Sequence, residues 1–123
     1  GLCFPASADS IPTSLGQEDH VSMGSIGGRK ALRVCRNVVK ILAVELLCAA
    51  QAIDFKRPLK SSKTLDRVHQ HIRTKITHAT EDRIFSDDIQ KAIEIIDSGV
   101  LLDILQKEKK KIDSPYHDLF ECF

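Results

Sequence analysis

From Leu32 onward the apolar residues Leu32, Cys35, Val39, Leu42, Leu46, Ala49 and Ile53 return at alternating steps of three and four. That spacing sets them on one stripe of an α-helix. A second stripe, Ala31, Val34, Val38, Ile41, Glu45, Cys48 and Ala52, repeats the same steps, so the apolar surface is wider than a helix resting on a small core requires. Carried back to Gln17 and forward to Phe55, ahead of Pro58, the pattern predicts a helix over 17–55, roughly 55–60 Å long. A compact monomer of this length has a radius of gyration of only about 14 Å. The helix is therefore expected inside a multi-helix bundle, with Glu45 paired or in a polar layer if it is buried. A membrane span needs about 20 mostly apolar residues, and Arg36, Lys40 and Glu45 interrupt this stretch. A two-stranded coiled coil uses one seam, whereas this helix has two, with Ala49, Ala50 and Ala52 suited to close helix approach.

Residues 1–16 carry Pro5, Pro12 and several hydroxyl side chains without helical period and read as a loop. Ser14 followed by Gln17 has the form of a capping box, with Glu18 and Asp19 in the favourable first turn. Gly24, Gly27 and Gly28 weaken the helix by about 1 kcal/mol each relative to Ala. Close approach of a backbone or a ligand would explain them, and a kink is the alternative. After Pro58, Ser61 or Ser62 is placed to cap a second helix with Leu65, Val68, Ile72 and Ile76 inward and Asp66, Arg67, Gln70, Arg73 and Lys75 in water. Ser86 is the expected N-cap of a third helix with Ile89, Ala92, Ile93 and Ile96 on its core face. Ser98-Gly99 stops it, and Val100 to Ile112 forms a fourth with Leu101, Ile104 and Leu105 inward. No alternation is long enough for a sheet. The expected fold is all-α: residues 1–16 a loop beside the site, 17–55 a long core helix, and 56–123 a C-terminal helical region.

Composition changes this picture little. The chain is 42% hydrophobic and 28% charged, with net charge +1, which gives no general electrostatic footprint for nucleic acid or an anionic membrane. The basic run Lys107–Lys111 reads as the solvated end of a helix. Cys3, Cys35, Cys48 and Cys122 form no CxxC motif, and Cys35 and Cys48 are expected as small core residues in a reducing compartment. The opening residues lack the basic region and apolar core of a signal peptide, which points to the cytoplasm. The chain starts without Met, as the interior of a longer polypeptide would.

Chemistry could reside in two places. His69, His71 and His78 suggest metal ligands, but His69 and His71 point to different sides of a helix, so surface histidines are expected and no metal site. The sextet Gln17, Glu18, Asp19, His20, Val21, Ser22 gathers an amide, two carboxylates, an imidazole and a hydroxyl at a helix start. A carboxylate taken out of water there could exchange protons near neutrality. A capping network with solvated charges explains the same residues.

The run from Pro5 to Ser14, then Gln17-Glu18-Asp19-His20-Val21-Ser22-Met23-Gly24 and Arg29-Lys30, closely resembles the C-terminal part of the histidine ammonia-lyases, a branch of the aromatic amino acid ammonia-lyase family. The resemblance continues at Glu45-Leu46, Ala49-Ala50-Gln51-Ala52, Glu81-Asp82-Arg83 and Asp87-Asp88-Ile89, covering about Pro5 to Leu102. It implies elimination of ammonia from L-histidine to give trans-urocanate, by an electrophilic methylidene-imidazolone formed from an internal Ala-Ser-Gly. It also implies a homotetramer with a shared helical core and active sites built from several subunits.

On this resemblance Glu18 is the catalytic position that maps onto the chain, binding substrate and handling a proton, with Gln17 and His20 as weaker positioning residues. Phenylalanine enzymes of the family typically carry an amide at the position of Glu18, so Glu18 favours histidine. The chain has no Ala-Ser-Gly: Ala6-Ser7 precedes Ala8, and Ser98-Gly99 follows Asp97. It is therefore expected to be an inactive piece by itself. It also departs from the family at Leu15-Gly16, usually Ala-Asn, and at Gly27-Gly28, where alanine is common. The alternatives are a non-catalytic helical oligomerisation module, an inactive paralogue, or a lyase acting on tyrosine or phenylalanine.

Overall fold

The computed structural model describes residues 1–109. The predicted extension of the fourth helix to Ile112, the end of the Lys107–Lys111 run, the last ten residues and Cys122 lie outside them. Among the described residues are four α-helices, α1 (Gly24–Phe55), α2 (Lys63–Lys75), α3 (Ser86–Asp97) and α4 (Val100–Lys109), and two short strands, β1 (Pro12–Thr13) and β2 (Glu18–His20). The mainly helical class follows the sequence pattern. The chain divides into two compact units, Gly1–Ile41 and Leu42–Phe123.

In the first unit the region expected to start the long helix is extended. β1 and β2 pair antiparallel, with Pro12 opposite His20, Thr13 opposite Glu18, and an irregularity between Pro12 and Thr13. The hairpin gives its backbone groups partners that a helix would have supplied. The Val21 amide donates to the Ile11 carbonyl (3.1 Å), and Ser10 Oγ donates to the Val21 carbonyl (2.6 Å). The loop between the strands turns through Ser14, Leu15 and Gly16, whose φ angles are 49°, 57° and 84°. For Ser and Leu that left-handed geometry costs roughly 1–2 kcal/mol per residue. Ser14 is thus part of a tight turn and not a helix cap. Helix α1 starts at Gly24, not Gln17, and the Gly24 amide approaches Ser22 Oγ (3.4 Å). Lys30 Nζ donates to the Phe4 carbonyl (2.7 Å), tying the N-terminal turn to α1. A Cβ at Gly27 or Gly28 would meet nothing within 4 Å, so no described residue accounts for either glycine by close approach.

In the second unit Ala43 and Ala50 of α1, Ile72 and Ile76 at α2, and Ala92 and Ile95 of α3 form the buried core. Leu46, Leu47, Val68, Ile89, Ile93, Ile96, Val100 and Leu101 pack around it. The buried α1 residues belong to neither predicted stripe. Val34, Val38, Ile41 and Leu42 stand 44–65% exposed, and Cys35, Cys48 and Glu45 are exposed as well. The expected core role of the two cysteines is therefore corrected, because no described segment covers those faces.

Helix α2 starts as the sequence predicts. Ser62 has extended φ/ψ and its hydroxyl accepts the Leu65 amide (3.3 Å). Ser62→Ala is expected to cost about 1 kcal/mol of unfolding free energy, measured by urea denaturation, because a cap satisfies one of the otherwise unpaired amides of the first turn. Helix α3 differs: its N-cap position is Phe85, Ser86 is already helical, and no side chain caps it. Gly99, at φ 72°, separates α3 from α4.

Candidate functional site

Strand geometry changes how the sequence-predicted residues are arranged. On a helix Glu18 and His20 would point to different sides, but in a strand residues two apart share a face. That alternation is interrupted in β2, where Glu18 lies opposite Thr13 and His20 opposite Pro12, adjacent residues of β1, so the pairing does not set the Glu18 carboxylate and the His20 imidazole on a common face. Both are exposed, and so is Gln17, which closes the turn through its amide to the Ser14 carbonyl (3.0 Å). Thr13 Oγ1 donates to the Asp19 carbonyl (2.8 Å), so the strand backbone is fixed from the partner strand. The result is an exposed carboxylate and an exposed imidazole on one short strand, groups able to hold an ammonium and pass a proton. No described segment removes Glu18 from water.

A second polar cluster lies in the other unit, and sequence reasoning missed it. Asp54, near the end of α1, receives Nε2 of His69 on Oδ1 (2.7 Å), and Nδ1 of His78 (3.0 Å) and an Arg73 nitrogen (2.6 Å) on Oδ2. His69 is only 6% exposed. The expectation of surface histidines thus fails at His69, while the partly exposed His78 is drawn into the same network and Arg73 turns from solvent to pair with Asp54. The signal was present in the pattern, since His69 falls on the face that Leu65, Val68, Ile72 and Ile76 define. Burial alone would raise the Asp54 carboxyl, but hydrogen bonds from His78 and Arg73 and the Arg73 charge outweigh it and hold the group below its ordinary 3.8.

Gln51 spans the same region, accepting the Ala79 amide (3.2 Å) and donating to the Ala79 carbonyl (2.7 Å). Farther along, Arg83 donates to buried Asp88 through Nε (2.8 Å) and to the Thr77 hydroxyl and carbonyl (3.0 and 2.8 Å). These contacts fix the connection between α2 and α3. They border a cavity of about 610 Å³ whose walls include Leu47, Cys48, Phe55, Ile76 and Phe85. Among the described residues no three His, Cys, Asp or Glu side chains are grouped to hold a metal ion, and no helix is long and apolar enough to cross a membrane. With no Ala-Ser-Gly in its sequence, the chain does not itself supply a methylidene-imidazolone.

The sequence model of the aromatic amino acid lyases matches residues 1–74. Histidine ammonia-lyase of Natranaerobius thermophilus is 46% identical over 106 residues, which is 86% of this chain and 21% of that protein. The Caldanaerobacter subterraneus subsp. tengcongensis histidine ammonia-lyase is 47% identical over 107 residues, 87% of this chain and 21% of that protein. Among solved structures, histidine ammonia-lyase from Trypanosoma cruzi superposes with a TM-score of 0.80 at 42% identity, covering 86% of this chain and 21% of that one. Tyrosine aminomutase from Streptomyces globisporus gives a TM-score of 0.74 at 36% identity, covering 85% of this chain and 20% of that one. The chain thus spans about a fifth of the length of the relatives it matches.

Proposed function

The chain belongs to the aromatic amino acid lyase family, and from that premise we propose that it is the C-terminal part of an ammonia-lyase converting L-histidine to trans-urocanate and ammonia. The observation that carries the reading is the exposed acid and imidazole of Glu18 and His20 on β2, inside the stretch matched by the family model. Glu18 binds the substrate through a charge-assisted hydrogen bond to its ammonium or imidazole and takes part in proton transfer during elimination. Gln17 and His20 orient the substrate beside it. The methylidene-imidazolone comes from the rest of the polypeptide, so these residues are inactive by themselves.

The homotetramer is part of the same reading. Its support is the exposure of Val34, Val38, Ile41 and Leu42 on α1, an amount of apolar surface that other helices would cover. Such an assembly works in the cytoplasm. The first test is absorbance at the wavelength where urocanate, but not histidine, absorbs. The full polypeptide with L-histidine is expected to give a steady rise. A second reading, tyrosine as substrate, is favoured by the similarity to the tyrosine aminomutase. A flat trace with histidine and a product from tyrosine would establish it.

A further inference from the structure

The Asp54 carboxylate is approached by different nitrogens of two imidazoles, and what touches the other nitrogen of each ring decides how many protons it carries. His69 Nδ1 lies 3.2 Å from an Arg57 guanidinium nitrogen. A guanidinium offers donors only. Nδ1 must therefore accept, and the ring proton sits on Nε2, aimed at Asp54. His78 Nε2 lies 3.4 Å from Gln51 Nε2. That amide is oriented by its other contacts, because its oxygen accepts from the Ala79 amide and from Arg73 while its nitrogen donates to the Ala79 carbonyl. It presents an N–H to His78, whose own proton then lies on Nδ1. Each ring carries one proton, and both point into the same carboxylate.

We propose that this cluster is an acid-released clasp: a second proton on His69 expels Arg57 and loosens the hold of α1 and α2 on residues 77–85. The charged and titratable groups facing His69 are Asp54 from α1, Arg57 just beyond it, Arg73 and Asp66 from α2, and His78 from the connection. A proton on Nδ1 would set two cationic donors against each other where His69 has almost no access to water. Arg57 is also drawn to Asp66 (3.6 Å) and does not swing away freely. The imidazolium pulls Asp54 toward itself, and the other carboxylate oxygen, which holds His78 and Arg73, moves with it. Asp54 itself stays ionised between pH 7 and 5, its carboxyl being held below the usual 3.8.

The test is hydrogen exchange followed by mass spectrometry on the full polypeptide at pH 7 and pH 5, with labelling times scaled for the intrinsic rate. Amides of residues 77–85 are expected to lose at least about tenfold in protection at pH 5 while those of α3 keep theirs. In His69→Gln the amide still donates to Asp54 and accepts from Arg57 but takes no second proton, so protection is expected to persist at pH 5. Equal protection at both pH values in the unaltered protein, or the same loss in His69→Gln, overturns the proposal. Should His69→Gln prove unprotected throughout at pH 7, the imidazole ¹⁵N signals of the unaltered protein decide. Gain of the second proton by His69 in the range where 77–85 open supports the clasp. Opening without that proton, or the proton without opening, overturns it.

Discussion

Glu18→Gln in the full polypeptide is expected to lower histidine turnover at least ~10²-fold, the scale on which a positioned acid–base group acts. Gln preserves the size of the side chain and its ability to hydrogen-bond, but not its charge or its proton. The loss should therefore fall mainly on kcat, read as the rate of urocanate absorbance, with the hairpin unchanged. β2 is held by backbone pairing and by Thr13 and Ser10, none of which the Glu18 side chain supplies. Turnover that stays the same would remove Glu18 from the mechanism.

Asp54→Asn is expected to destabilise the fold by about 2 kcal/mol, the scale of leaving partly buried hydrogen-bonding groups without their partner. Asn keeps one acceptor, but its NH₂ faces donors where Asp54 accepts His78 and Arg73. The urea midpoint reports the loss, and an unchanged midpoint would mean that the network contributes nothing net. The pH dependence has a definite sign. A carboxyl whose folded pKa lies below its unfolded value contributes stability that is present above the unfolded value, here near 3.8, and is lost as pH falls through the folded one. The unaltered protein should accordingly shed this contribution only below about pH 4, and Asp54→Asn should lack that acid step.

The helices were legible where a local signal decides them. Ser62 has both a capping hydroxyl and an apolar period after it, and Gly99 supplies the positive φ that ends one helix before the next. The start of α1 was not legible, because Glu18–His20 are held extended by pairing with Pro12–Thr13, a partner that helical spacing does not register. Its buried face was misread for a related reason. Stripe counting finds the most apolar face, whereas Ala43 and Ala50 are buried because small side chains admit the core residues of α2 and α3. The sextet around Glu18 was recognisable by residue type and order, yet its geometry depended on the strand. Asp54, Arg73 and His78 come together from separate segments, and no spacing rule joins them.

That distance along the chain has an evolutionary consequence. Asp54 is separated from His69 by 15 positions and from His78 by 24, so three stretches of sequence answer to one pair of oxygen atoms. A neutral drift at any of them is conditional on the other two, and the effects of paired changes there should depart from additivity. Once Asp54 is lost, the histidines lose the reason for their tautomers and become free to vary. Divergence at this corner should thus come in linked bursts, with long intervals of stasis between them.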